Sequence, residues 1–167
     1  MILTRSWLNE WIDISDISTE DICKKLNSLG LEVDSVNSFT VPQKIIVGKI
    51  NSCSKHPDAD KLNVCEVDIG LDTRQIVCGA KNVVAAKYVA VAMIGATLPN
   101  GLKIKHAKLR GVESEGMICS SQELGLPKIN DGIMALDESI GVLEVGKELG
   151  EYPLFSDDII EIDLTPN

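Results

Sequence analysis

Apolar and polar residues follow two different rhythms along this chain of 167 residues. Near the N-terminus the spacing is helical. Trp7 and Trp11 stand four residues apart and so share one helical face. Ser18-Thr-Glu-Asp21 has the pattern of a capping box, in which a hydroxyl and a carboxylate satisfy free N–H groups at a helix start. The helix that follows is expected to place Ile22, Leu26 and Leu29 on one side, with Gly30 at the left-handed C-terminal cap. Leu31 and Val33 open an extended segment, so this flank reads as helix, helix, strand. From Lys44 onward the rhythm changes to a period of two. Lys44 to Ser52 predicts a strand, with Gly48 marking a bulge or bend. Cys65, Val67 and Ile69 alternate with Glu66 and Asp68. Gln75 to Cys78, Val89 to Ile94 and Leu102 to Lys105 are further short strands, and Gly132 to Leu136 predicts one more. Near the C-terminus Ile160-Glu-Ile-Asp-Leu164 alternates strictly. Many short strands punctuated by glycine predict a small barrel or a sandwich, and periodicity does not choose between the two.

Neither flank has enough apolar surface to form a core by itself. The economical arrangement is that the two flanks pack on each other, with the β-rich middle inserted between them. Charge separates the same regions. The chain carries a net charge of −9, yet residues 39 to 150 hold 13 basic and 13 acidic side chains, and the flanks hold 3 basic and 12 acidic. Any polyanion contact therefore belongs to the middle, and must come from a local patch rather than an overall positive field. The expected domains are residues 1–39, residues 40–150, and residues 151–167 as a return to the first.

Composition narrows the classes. No apolar run approaches the roughly 20 residues that a membrane helix requires, and the opening residues do not read as a signal peptide. Cysteines 23, 53, 65, 78 and 119 are odd in number and widely spaced, which argues against a disulfide framework and for a reducing, cytoplasmic setting. Cys53-x-x-His56 with Cys65 and Cys78 offers only one close pair, whereas zinc sites show paired short spacings. Ser120 or Ser121 with His56 or His106 lacks a nucleophile elbow, and there is no Gly-rich phosphate loop. No catalytic or metal-binding residue is expected.

The candidate chemistry is cationic. No acid lies between Asp72 and Glu113, and this stretch holds Lys103, Lys105, Lys108 and Arg110, with Lys81 and Lys87 upstream. A solvated strand edge carries the same pattern, since lysine discourages edge-to-edge association. Tyr88 is the only aromatic residue between Val41 and Glu151. A single-strand binder stacks several bases on rings, so an RNA contact here is expected to grip phosphates and shape, weakly and with salt sensitivity. Lys61 suits phosphate contact from the loop around His56-Pro-Asp58.

Several words in the sequence carry a resemblance: HPDADKL (56–62), VCGAKN (77–82), GATLPNG (95–101), KLRGVESEGMICS (108–120) and ELGL (123–126). In this order they resemble the tRNA-binding OB-fold module appended to several aminoacyl-tRNA synthetases. The flanking MILTRSWLNEWIDI and DIIEIDLTPN resemble those of the bacterial phenylalanyl-tRNA synthetase beta subunit. The resemblance implies a mainly β chain with a small α/β flank, an OB-fold β-barrel inserted into a discontinuous α+β domain. It implies an N-terminal piece of a longer subunit that stops, at Thr165-Pro-Asn167, at the threshold of another domain. Asn82, Ser114, Met117 and Ser120 match the family's motif words and are expected to line the RNA face with the cations, although turn, core and capping roles explain them equally. The implied partners are tRNA and a synthetase alpha subunit in an α2β2 enzyme. ATP and magnesium are implied for that parent enzyme, with no cofactor in this piece. The contrasting expectation is an OB module used for assembly, chaperoning or spacing, for which the zero net charge of the middle speaks.

Overall fold

A computed structural model describes residues 1–164, so the expectation about Thr165-Pro-Asn167 lies outside the described residues. In chain order the elements are β1 (Ile2–Thr4), α1 (Arg5–Trp11), α2 (Thr19–Ser28), β2 (Glu32–Thr40), β3 (Ile45–His56), β4 (Ala59–Asp68), β5 (Thr73–Cys78), β6 (Tyr88–Ala92), β7 (Ala107–Leu109), β8 (Val112–Ser114), β9 (Met117–Ile118), β10 (Ala135–Leu136) and β11 (Ser156–Asp163). The fold is mainly β and antiparallel, with a small helical part, and divides into two compact units. No described helix is long and apolar enough to cross a membrane.

The first unit takes Met1–Thr40 and the stretch from Pro153 onward. Its sheet has the order β1-β11-β2, so the last strand in sequence is the central one. β11 pairs with β1 (Leu3 opposite Ile160) and with β2 (Val36 opposite Ile160). The N-terminal amine donates to Ile162 O (2.8 Å), and Ile162 N–H returns a bond to Met1 O (2.7 Å). Alternation along β11 sends Ile160 and Ile162 into a core with Ile14 and Ile22, flanked by Leu3, Leu8, Leu26 and Val33.

α2 begins and ends as its sequence dictates. Ser18 Oγ accepts from Asp21 N–H (3.1 Å). At the other end Leu31 N–H donates to Leu26 O and Gly30 N–H to Asn27 O (both 3.0 Å), with Gly30 at φ +86°. That pair of bonds is a Schellman cap, which a residue with Cβ adopts only under strain. Leu29 departs from expectation: it is 66% exposed rather than core-facing, because as the C-cap residue it has already left the helical path. Trp7 and Trp11 do share a face, their rings edge-to-face at 6.1 Å, and that face is exposed. The strand β1 ahead of α1 has no counterpart in the sequence pattern.

The second unit, Val41–Tyr152, is the OB-like barrel. Its sheet runs β10-β6-β3-β4-β5, with β9 also on β6. The long β3 is shared. Ile45 to Lys49 pair with β6, and Lys49 to His56 pair with β4, so one strand serves both curved walls. Gly48 sits where the walls meet. A Cβ there would stand 2.6 Å from Val91 Cγ2 and 2.8 Å from Val67 Cγ1. Gly48 is thus required by close packing rather than by a bulge. The nearer of two register shifts in β3 lies between Ile50 and Ser52. Val47, Val67, Ile76, Val83, Val89 and Val91 are fully buried with Cys65, an interior made mostly of aliphatic side chains.

Two expected strands shrink. Leu102 to Lys105 forms only the isolated bridge Thr97–Lys103, because Ile104 is anchored by separate bonds to Gly95 and Ala96 instead of a ladder. The predicted strand from Gly132 to Leu136 contracts to β10, paired with Tyr88 and Val89.

Candidate nucleic-acid interface

The HPDADKL segment is tighter than a loop. Strand pairing continues up to His56 opposite Ala59, so Pro57-Asp58 alone makes the turn. The register then jumps from His56–Ala59 to Lys55–Asn63. Asp60, Lys61 and Leu62 are the surplus residues, a bulge that sets Lys61 in solvent.

His56 is 4% exposed and both ring nitrogens are engaged. Nδ1 accepts from Asp58 N–H (2.9 Å), and Nε2 lies 2.9 Å from Leu109 O. A carbonyl only accepts, so the neutral tautomer with hydrogen on Nε2 satisfies both bonds. Leu109 ends β7, and β7 and β8 are joined by Arg110-Gly111 at φ +48° and +86°. Two central residues with positive φ mark the twist-matched hairpin turn, a place where Asn-Gly is the usual choice. Arginine accepts a left-handed backbone here and projects from the tip of the hairpin. In barrel terms the segment between the first two strands therefore touches the segment before the last one through the His56–Leu109 bond. Those two segments, with the face of the second and third strands, form the usual ligand surface of an OB barrel.

The cations sit as follows. Lys103 and Lys105 are exposed on either side of buried Ile104, and Lys108 and Arg110 are exposed on the hairpin. None of these four, nor Lys61 or Lys81, has an ion-pair partner within 4 Å among the described residues. The field is tempered by Glu113, which lies opposite Lys108 and 3.8 Å from His106 Nε2. Lys61, Lys108 and Arg110 are brought to one end of the barrel by His56, and Lys103 and Lys105 lead into the same hairpin along the chain.

The uncharged candidates fall elsewhere. Ser114 is 3% exposed, its hydroxyl accepting from Val77 N–H (3.0 Å) and donating to Gly116 O (3.1 Å), so its polar atoms are spent on holding β8 to β5. Asn82 clamps Ile133 from both sides: Nδ2 donates to Ile133 O (2.9 Å) and Oδ1 accepts from Ile133 N–H (3.0 Å). Gly132 must be glycine for this, since a Cβ would lie 2.0 Å from Asn82 Oδ1. Ser120 and Glu123 form a reciprocal cap, Ser120 N–H to Glu123 Oε2 (2.9 Å) and Glu123 N–H to Ser120 Oγ (3.3 Å). Met117 and Ser120 line a cleft of about 450 Å³ between the end of β5, β9 and residues 120–133.

Cys65, Cys78 and Cys119 are interior, and Cys23 and Cys53 are half-buried. Burial pushes the Cys65 and Cys78 thiols up and raises Cys119 to about 12. Cys53 and Cys65 face each other across β3 and β4 with sulfurs 3.4 Å apart. Sequence reasoning missed the docking role of His56 and the cleft. Leu109 stands 53 residues from His56, beyond any local pattern, but the Ser120-x-x-Glu123 cap was a readable signal.

Known proteins are similar to this chain in sequence. The family described as putative tRNA binding domain matches residues 45–144. The phenylalanine–tRNA ligase beta subunit of Sulfurimonas denitrificans is 63% identical over 167 residues, 100% of this chain and 22% of that protein. That of Wolinella succinogenes is 63% identical over 100% of this chain and 21% of that protein. The same subunit of Campylobacter jejuni is 57% identical over 100% of this chain and 22% of that protein. The chain thus spans about a fifth of the length of these curated relatives. Among solved structures, the C-terminal domain of Plasmodium vivax p43 is 26% identical, with a TM-score of 0.45 over 66% of this chain and 59% of that one.

Proposed function

This chain belongs to the tRNA-binding domain family, and on that premise we propose that it is the non-catalytic N-terminal segment of a phenylalanine–tRNA ligase beta subunit, holding tRNA by shape and phosphate contacts. Residues 40–150 are the OB-fold module, inserted into a discontinuous domain of residues 1–39 and 151–167. The parent enzyme is an ATP- and magnesium-dependent cytoplasmic ligase in which this subunit joins an alpha subunit as α2β2. Lys61, Lys103, Lys105, Lys108 and Arg110 are the phosphate-contacting side chains, with Lys81 at the margin. Asn82, Ser114 and Ser120 shape the surface rather than touch RNA.

The observation that supports this most is the His56 bridge. It joins two segments of the usual OB ligand surface, and both present cations without ion-pair partners among the described residues. Long, flexible cations over a ring-poor barrel suit a folded polyanion read by shape. Fluorescence anisotropy with folded tRNA across a salt series tests the reading. Log affinity should fall linearly with log salt. Lys103→Glu with Lys105→Glu should weaken binding about tenfold and flatten the slope by about 1 for each phosphate no longer neutralised. Unchanged affinity with an unchanged circular dichroism spectrum would favour an architectural barrel. Lys108 lying opposite Glu113, within residues 39–150 whose charges balance, is the observation in favour of that second reading.

A further inference from the structure

The cleft beside β5 and β9 is not a phosphate site. Its one cation, Lys128, is held 2.6 Å from Asp131 Oδ1, and Glu123 adds a further carboxylate. The local balance is negative, so an anion is repelled where a neutral ligand is not. The size, about 450 Å³, is that of a small-molecule site, and the walls mix aliphatic with polar surface. Met117, half-buried on the wall, offers a polarisable thioether to an aromatic ring, and Ile133 lies buried behind the cleft. At the mouth the exposed carboxamide of Gln122 has no hydrogen-bond partner among the described residues. A carboxamide presents a donor and an acceptor side by side, the complement of a base edge.

The cleft is also braced before any ligand arrives. Asn82 fixes Ile133 at both backbone atoms, and the Ser120–Glu123 cap fixes the turn that carries Gln122. Cations adjoin it along the chain: Lys61 precedes Leu62, whose Cδ2 lies 3.4 Å from where a Cβ on Gly79 would be, and Lys81 follows Ala80. Gly79 and Ala80 themselves line the cleft.

From this juxtaposition we propose that the cleft takes one unstacked nucleobase of the bound RNA, its ring against Met117 and its edge on Gln122, while Lys61 and Lys81 hold the adjoining phosphates outside. The inference rests on the RNA-binding reading and gives it a single anchoring point. A base lifted out of its stack is read in this way, between apolar side chains and by edge hydrogen bonds. A barrel poor in aromatic rings has this aliphatic substitute for a stacking platform.

The test is titration of the isotope-labelled chain with adenosine, guanosine, cytidine and uridine, followed by amide NMR shifts. These probes carry no charge. At least one should shift the amides of Gly79, Met117 and Gln122 saturably at millimolar concentration, equally at about 50 and 200 mM salt. Gln122→Ala should weaken that binding about tenfold without changing the salt slope for tRNA. Absence of shifts with all four nucleosides, or shifts confined to the basic hairpin, overturns the proposal. Anisotropy with tRNA on the same sample separates the two claims. tRNA binding without nucleoside binding sinks the base cleft and leaves the proposed function standing. Nucleoside binding in the cleft without tRNA binding overturns both, since no bound RNA then supplies the base.

Discussion

The two units solve the same problem with different chemistry. The barrel, Val41–Tyr152, nearly balances its charges, with 13 basic and 14 acidic side chains, and closes on apolar side chains from β3, β4, β5, β6 and β9. The flanking unit is acid-rich, and polar clamps supplement its smaller core. Asp157 accepts from Ser6 N–H (3.1 Å) and from the Ser6 hydroxyl. Asp158 accepts from the hydroxyls of Thr19 and Ser38, the latter at 2.7 Å. Arg5 donates to Thr19 Oγ1 (3.1 Å) and to Ile14 O (2.8 Å). The barrel leans on apolar packing, whereas the flanking unit adds carboxylate clamps from β11, Asp158 foremost.

That contrast can be broken at its strongest point by emptying the smaller core. Ile160 is fully buried on the central strand of the flanking sheet. Ile160→Ala should destabilise this unit by about 2–5 kcal/mol. Urea unfolding should then show an early transition, seen in tryptophan fluorescence because Trp7 and Trp11 both belong to that unit. A single unshifted transition would refute the claim. A smaller effect is expected in the barrel from Gly48→Ala, which drives a methyl into Val67 and Val91. Overpacking of this kind costs about 1–3 kcal/mol, read as a lower denaturation midpoint with tryptophan fluorescence little changed.

The gentlest probe is acid. Hydrogen bonds from Thr19 and then Ser38 hold the Asp158 carboxyl below its ordinary value of 3.8. Its contribution is therefore complete above that value and is lost as pH falls through the lower folded one. The flanking unit should loosen first on acidification, as followed by tryptophan emission, and Asp158→Asn should flatten that pH dependence. Equal acid responses from both units would erase the contrast.

What the sequence discloses follows the range of the interactions. The alternation of Cys65, Val67 and Ile69, that of Ile160 and Ile162, and the Gly30 cap are local, and each appears as read. Lys103 and Lys105 could be seen as cations but not as neighbours of a hairpin, since no ladder extends their segment. β1 is three residues long and exists only because β11, from the far end of the chain, lies beside it. The cleft depends on Asn82 meeting Ile133, 51 residues away. A short strand, a clamp or a docked imidazole leaves no periodicity, because its partner comes from elsewhere in the chain.

The central position of β11 has a consequence for biosynthesis. A ribosome emits β1, α1, α2 and β2 first, yet their sheet lacks its middle strand until the whole barrel has been made. At roughly 5–20 residues per second, that wait is on the order of ten seconds. Throughout it Leu3, Leu8, Ile14 and Ile22 have no β11 to cover them, and β2 has an unpaired edge. Until β11 arrives, this segment of the nascent chain is open to holdase chaperones and to mispairing.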